Sequence, residues 1–207
     1  MVARIALTGR PSSTGSLDAY AAGELPDWAL IGPARRAHAG RVAALLGEWA
    51  HRLGLDAADV TRWRAAGWLH DALRDAEADA LRAEASPPFD SLPDAYLHGP
   101  VTADRLAADG IDDAELLDAI RYHTLGRAGL GLLGRALIAA DYLEPGRHAD
   151  PVWRATRRAR MPADFDDVVR DVAAAKLRGS ADAGTPVRTS FAGFWNSLIA
   201  PDDVCPL

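Results

Sequence analysis

Four histidines and two aspartates fall where a folded chain would hold apolar side chains. His38 precedes Val42 by four residues, and His70 and Asp71 continue the face of Trp63 and Gly67. His123 follows Leu116 and Ile120, Asp141 follows Leu130 and Leu137, and His98 stands between Leu97 and Val101. A buried charge or imidazole is costly unless it is paired or bound to a metal. Singly, each has an ordinary reading. A core histidine needs only a hydrogen-bond partner, and Asp141 could cap a neighbouring helix. Together, imidazoles and carboxylates from separate segments are a ligand set for zinc, iron and manganese. Successive positions on a helix point about 100° apart, so the Asp71 carboxylate can bridge two cations while His70 holds one. Two metals about 3.5–4 Å apart can generate a hydroxide and clamp a phosphate oxygen. His51, in the last turn of a helix, and His148, after a turn, read as structural.

The segments that must position these residues are helical. The pattern begins at Pro33, suited to a first helical position, runs through Val42, Leu45, Trp49 and Leu53, and stops at Gly54. Further helices are expected from Ala57 to near Leu73, Glu77 to Ala85 and Tyr96 to Ala108. Others are expected from Asp113 to Thr124, Leu130 to Leu143, Asp164 to Arg178 and Thr189 to Ile199. Ser86-Pro87-Pro88, Gly110 and Pro145-Gly146 are the stops. No alternating run of β-branched residues appears, so the expected fold class is all-α. Residues 1–32, with Gly9 to Ser16 rich in Gly, Ser and Pro, read as a loosely structured N-terminal extension, and residues 33–200 as one domain.

The chain has 207 residues, enough to bury a full core. Its net charge of -6 argues against general nucleic-acid binding. No stretch is apolar over the roughly 18 residues a membrane span needs. The opening Met1 to Leu7 has no long apolar core of a signal peptide. The single cysteine, Cys205, permits no internal disulfide. The expected location is the cytoplasm, with neither membrane nor nucleic acid as partner. Trp28 or Trp153, if exposed, could mark a homodimer contact.

The order His38, His70-Asp71, His98, His123, Asp141 resembles the HD-domain superfamily of metal-dependent phosphohydrolases. Four flanking strings are more specific: Leu69-His70-Asp71-Ala72-Leu73-Arg74-Asp75, Leu97-His98-Gly99-Pro100, Arg121-Tyr122-His123-Thr124-Leu125-Gly126-Arg127, and Ala140-Asp141-Tyr142-Leu143-Glu144-Pro145-Gly146-Arg147. These are similar to the bacterial YqeK family, symmetrical diadenosine tetraphosphate hydrolases with a di-iron-type site. The resemblance spans roughly residues 34–198. It implies a helical bundle with a dinuclear metal site between helices. His38, His70, Asp71, His98, His123 and Asp141 are then the ligands of two divalent transition metals. Iron is the first expectation, with manganese, cobalt, zinc or magnesium as alternatives. Asp71 and Arg74 are implied as catalytic, Arg74 standing where the family usually has Lys. Arg74, Thr124, Gly126, Arg127 and Arg147 are implied as contacts to a small-molecule nucleotide. The implied reaction cleaves diadenosine tetraphosphate to two ADP. The alternatives are an HD phosphohydrolase acting on a mono-, deoxy- or cyclic nucleotide, or a nucleotide-binding regulator without turnover.

Overall fold

A computed structural model describes residues 16–200, and among these the regular structure is entirely helical. The start of the N-terminal extension and Cys205 lie outside the described residues. The helices are α1 (Leu17–Ala21), α2 (Pro33–Arg52), α3 (Ala57–Leu69), α4 (Ala78–Glu84), α5 (His98–Ala108), α6 (Ala114–Tyr122), α7 (Leu132–Leu143), α8 (Pro151–Arg160), α9 (Phe165–Asp182) and α10 (Thr189–Ile199). A short 3-10 turn, Asp94–Tyr96, precedes α5.

Local chemistry explains most boundaries. Pro33 starts α2 where its missing N–H costs nothing. The side chains of Asp56 and Asp113 cap α3 and α6 by accepting the backbone N–H of Asp59 and Leu116. Gly54 and Gly110 follow α2 and α5 in the left-handed region. Trp49, Trp63, Leu46, Leu69, Leu116, Ile120, Leu133 and Leu137 are fully buried between α2, α3, α6 and α7. At Gly67 the backbones of α2 and α3 meet so closely that a Cβ would stand 2.4 Å from the Cα of Ala43.

The structure departs from the sequence reading in several places. The helix expected to reach Leu73 ends at Leu69, and His70 to Ala76 form tight turns, with Ala72 N–H bonded to Leu69 O and Arg74 N–H to Asp71 O. Those turns pair with the segment before α2: Leu30 N–H donates to Ala72 O, Asp75 N–H to Leu30 O, and Gly32 N–H to the Asp75 carboxylate. The described part of residues 1–32 is therefore built into the fold rather than loose, with α1 packed on α3 and Tyr20 and Ala21 buried. The second correction concerns the tryptophans. Trp28 is partly buried and donates its indole N–H to Asp109 at 2.7 Å, and Trp153 packs edge-on to Tyr142. Both are partly buried rather than fully exposed. Finally, α8 was not expected at all. It is an arginine-rich helix with few apolar residues, and its buried Arg154 and partly buried Arg158 donate to the terminal carbonyls of α7 at Tyr142 and Leu143.

Candidate metal centre

The six residues singled out by sequence converge on one buried point. His38 comes from α2, His70 and Asp71 from the end of α3, His98 from the start of α5, His123 from the end of α6 and Asp141 from α7. The four imidazoles and Asp71 are buried, while Asp141 keeps an edge to solvent.

The Asp71 carboxylate divides the histidines into two pairs. Its Oδ1 lies 3.2 Å from His98 Nε2 and 3.6 Å from His123 Nε2. Its Oδ2 lies 3.7 Å from His70 Nε2 and 3.8 Å from His38 Nε2. Asp141 Oδ1 joins the second group, 3.2 Å from His38 Nε2. Two ligand clusters thus share one carboxylate: His38, His70 and Asp71 on one side, and Asp71, His98 and His123 on the other.

Backbone and carboxylate oxygens set the tautomers. His70 Nδ1–H donates to Gly67 O at 2.8 Å, and His123 Nδ1–H donates to Ile120 O at 2.7 Å. Both histidines cap a helix C-terminus, where the last carbonyls have no intrahelical donor. His38 Nδ1–H donates to Glu144 Oε1 at 3.2 Å. In all three rings the proton sits on Nδ1, and Nε2 turns a lone pair inward. Orientation of a ligand imidazole through its other nitrogen is the usual support of a metal site. Nε2 of His38 and His70 are buried and make no hydrogen bond among the described residues. His98 Nε2 and His123 Nε2 stand 3.2 Å apart, a separation that two lone pairs tolerate only with a cation or proton between them. The donor set fits two divalent metals.

Electrostatics agree with a site kept ready for cations. Burial pushes His70 down to about 4, so its ring is neutral at physiological pH. Burial works to raise Asp71, but His70, charged in the acid range where a carboxyl titrates, and the His123 and His98 contacts overcome it and hold the carboxyl well below its ordinary value. Burial likewise works to raise Asp141, but the close contact with His38 and the Arg147 guanidinium overcome it and hold the carboxyl far down.

The expected nucleotide contacts are more dispersed. Arg147 reaches back to Asp141, Nη2 to Oδ1 at 2.5 Å, at the rim of the site. Arg127 pairs with Asp118 and lies over the Tyr122 ring. Arg74 is partly buried and close enough to His98 to lower its basicity after the larger effect of burial. Thr124 is partly buried with its hydroxyl unpaired, directly after His123. Gly126 is buried in the left-handed region, and a Cβ there would stand 3.0 Å from both Phe191 and Phe194. Its place is a packing position against α10.

Sequence reasoning missed Glu144. Only 2% exposed, it holds His38 and accepts from Arg41 Nε at 2.5 Å and from Gly146 N–H at 2.6 Å. Burial opposes its ionisation, yet the Arg41 and Gly146 bonds bring it down to about 2. A second carboxylate three residues after Asp141, on the same side of the chain, was the available signal. Arg35 was missed as well; its Nη1 lies 3.4 Å from Asp71 Oδ2.

A helical bundle closed around a His-Asp doublet, with single histidines and an aspartate supplied by other helices, defines the class. Residues 35–146 match the HD domain, more than half of the chain, and the chain belongs to that family. Three relatives share the description bis(5'-nucleosyl)-tetraphosphatase, symmetrical. The one from Bacillus subtilis is 49% identical over 51 residues, 24% of this chain and 27% of that protein. The one from Halalkalibacterium halodurans is 38% identical over 68 residues, 32% and 36% of the two chains. The one from Staphylococcus aureus is 48% identical over 52 residues, 25% and 27%. The aligned stretches thus span about a third or less of those relatives. A solved structure, described as a predicted HD superfamily hydrolase involved in NAD metabolism from Clostridium acetobutylicum, superposes with a TM-score of 0.73. That superposition covers 83% of this chain and 92% of the other, at 23% identity, and supports the fold. Among the described residues no helix is long and apolar enough to cross a membrane.

Proposed function

We propose that the protein is a metal-dependent phosphohydrolase that cleaves diadenosine tetraphosphate symmetrically into two ADP. The observation that carries this reading is the Asp71 carboxylate, each oxygen of which faces its own pair of imidazoles. In the proposal His38, His70, Asp71, His98, His123 and Asp141 hold two divalent metals, iron foremost. Metals bound there would lower the pKa of a water and stabilise the charge that builds on the attacked phosphate.

The chain's own residues do the rest. Glu144 and the carbonyls of Gly67 and Ile120 hold three ligand protons on Nδ1. Burial of the cluster excludes bulk water and strengthens every charge interaction within it. Arg147 at the rim, with Arg74 and Arg127, supplies guanidinium groups suited to phosphate oxygens. Water attacks at the central bridge, one P–O bond breaks, and the leaving ADP takes a proton. The names of the three relatives support this substrate and this register of cleavage.

Hydrolysis in heavy-oxygen water tests the proposal. Two ADP should form, one carrying a single label on its terminal phosphate. AMP and ATP as primary products would overturn the symmetrical register, and no cleavage by metal-loaded protein would overturn the substrate.

A further inference from the structure

Of the two oxygens of Asp71, Oδ2 is the more crowded. Oδ1 faces His98 and His123, whereas Oδ2 faces His70, His38 and, at 3.4 Å, Nη1 of Arg35. Arg35 stands three residues before His38 on α2, which puts both side chains on one face of the helix. Among the described residues it is the one guanidinium in ion-pair range of Asp71. Its Nε lies 3.7 Å from a second carboxylate, Oδ1 of Asp75. Asp75 is held in place by backbone: its Oδ2 accepts the Gly32 N–H at 2.8 Å, and its own N–H donates to Leu30 O at 3.2 Å. The segment before α2 thus fixes an exposed carboxylate beside a half-buried arginine.

We propose that Asp75 is a positioning residue for the metal centre: it draws the Arg35 guanidinium to its own carboxylate and so keeps Asp71 Oδ2 open to a cation held by His38 and His70. The proposal rests on the two-metal reading above and concerns what keeps one of those sites available. A carboxylate oxygen offers two lone pairs. A guanidinium settled on Oδ2 takes one of them and sets a like charge beside a metal bound there. That repulsion is strong where water is scarce, and Asp71 is only 5% exposed. Asp75 offsets both effects, accepting the hydrogen bond and adding a negative charge outside the ligand set. An exposed pair of mobile side chains would contribute little, but Gly32 and Leu30 order Asp75 beforehand. The same arrangement recurs across the site. Arg147 lies on Asp141 Oδ1 and also 3.7 Å from Glu144 Oε1, a carboxylate outside the ligand set. Because Arg35 approaches Oδ2 and not Oδ1, Asp75 acts on the His38 and His70 side and leaves the His98 and His123 side alone.

Titration of the full chain with manganese, the free ion followed by electron paramagnetic resonance, tests the proposal without any turnover. The parent should bind two ions. Asp75→Asn keeps an oxygen for the Gly32 N–H and loses only the charge. It should weaken one of the two sites about tenfold and leave the other at parental affinity. Adding Arg35→Met to Asp75→Asn should restore the lost affinity, since nothing then competes for Oδ2. A merely structural role for Asp75 would weaken both sites, lower the melting temperature and resist that rescue. Parental binding by Asp75→Asn, equal weakening of both sites, or failure of Arg35→Met to restore affinity would overturn the proposal. Should Asp75→Asn fail to fold, Arg35→Met alone decides. Its affinity should be parental or higher, and a tenfold loss would show that the guanidinium supports Asp71 rather than competing at it. A parent chain that bound no second manganese would overturn the two-metal reading and this proposal with it, whereas failure confined to the variants would leave that reading standing.

Discussion

His70 and His123 occupy equivalent places in the fold. Each caps a helix C-terminus, each donates Nδ1–H to the carbonyl three residues before it, and their rings meet edge-on, 5.1 Å apart at 85°. A helix end always leaves carbonyls without donors. Here two of those carbonyls fix two imidazoles with Nε2 pointing inward, one toward each oxygen of Asp71. The site is thus held by backbone that the bundle needs in any case.

Glu144 does for His38 what those carbonyls do for the other two rings, so its removal should be felt at the metals. Glu144→Gln should lower metal affinity about ten- to a hundredfold, read by competition with a chelator. Unchanged affinity would show that His38 needs no such anchor.

The approach of α2 and α3 at Gly67 places His38 beside His70. Gly67→Ala would drive a Cβ against the Ala43 backbone, which can yield only by separating the helices. The cost should be about 1–3 kcal/mol, seen in thermal unfolding, together with weakened metal loading. An unshifted melting temperature would contradict the close approach.

Acid should destabilise the metal-free protein through His70. Its folded value, about 4, lies below the 6.5 of the ordinary imidazole, so the unfolded chain binds the extra proton between those limits. Stability contributed by the neutral ring is complete above 6.5 and is lost as pH falls toward 4. His38 is shifted the other way: burial lowers it, but the Asp141 and Glu144 contacts outweigh burial and raise it. Metal binding must displace that His38 proton, so apparent affinity should rise as pH rises through the imidazole range. Calorimetric titration in buffers of different ionisation enthalpy measures that proton release, and none at pH 6 would contradict the assignment.

Arg147 and Arg127 test the rim. Each is tied to a carboxylate, Asp141 and Asp118 respectively, and a polyphosphate would share or take over those bonds. Replacing either by Met should lower kcat/KM about ten- to a hundredfold, the loss of a charge-assisted contact worth about 1.5–3 kcal/mol. Parental kinetics in both variants would remove these residues from the substrate surface.

The convergence of His38, His70, Asp71, His98, His123 and Asp141 was legible because each interrupts an apolar stripe, a pattern that burial writes directly into sequence. Helix boundaries at Pro33, Gly54 and Gly110 were legible through their backbone chemistry. The end of α3 was not, since Ala72 and Leu73 continue an apolar pattern while tertiary bonds to Leu30 turn the chain away. Similarly, α8 was hidden because its stability comes from arginines bound to carbonyls of α7, not from an apolar face. Glu144 depends on a partner distant in sequence, Arg41, which no local pattern announces.

The central claim is that one carboxylate, Asp71, joins two metal sites. Metal content per chain, measured by mass spectrometry on parent and Asp71→Ala protein loaded under the same conditions, tests it most directly. The parent should hold two metals and the variant fewer than one, with helix content by circular dichroism nearly unchanged. A variant that still binds two metals and retains turnover would contradict the bridged site.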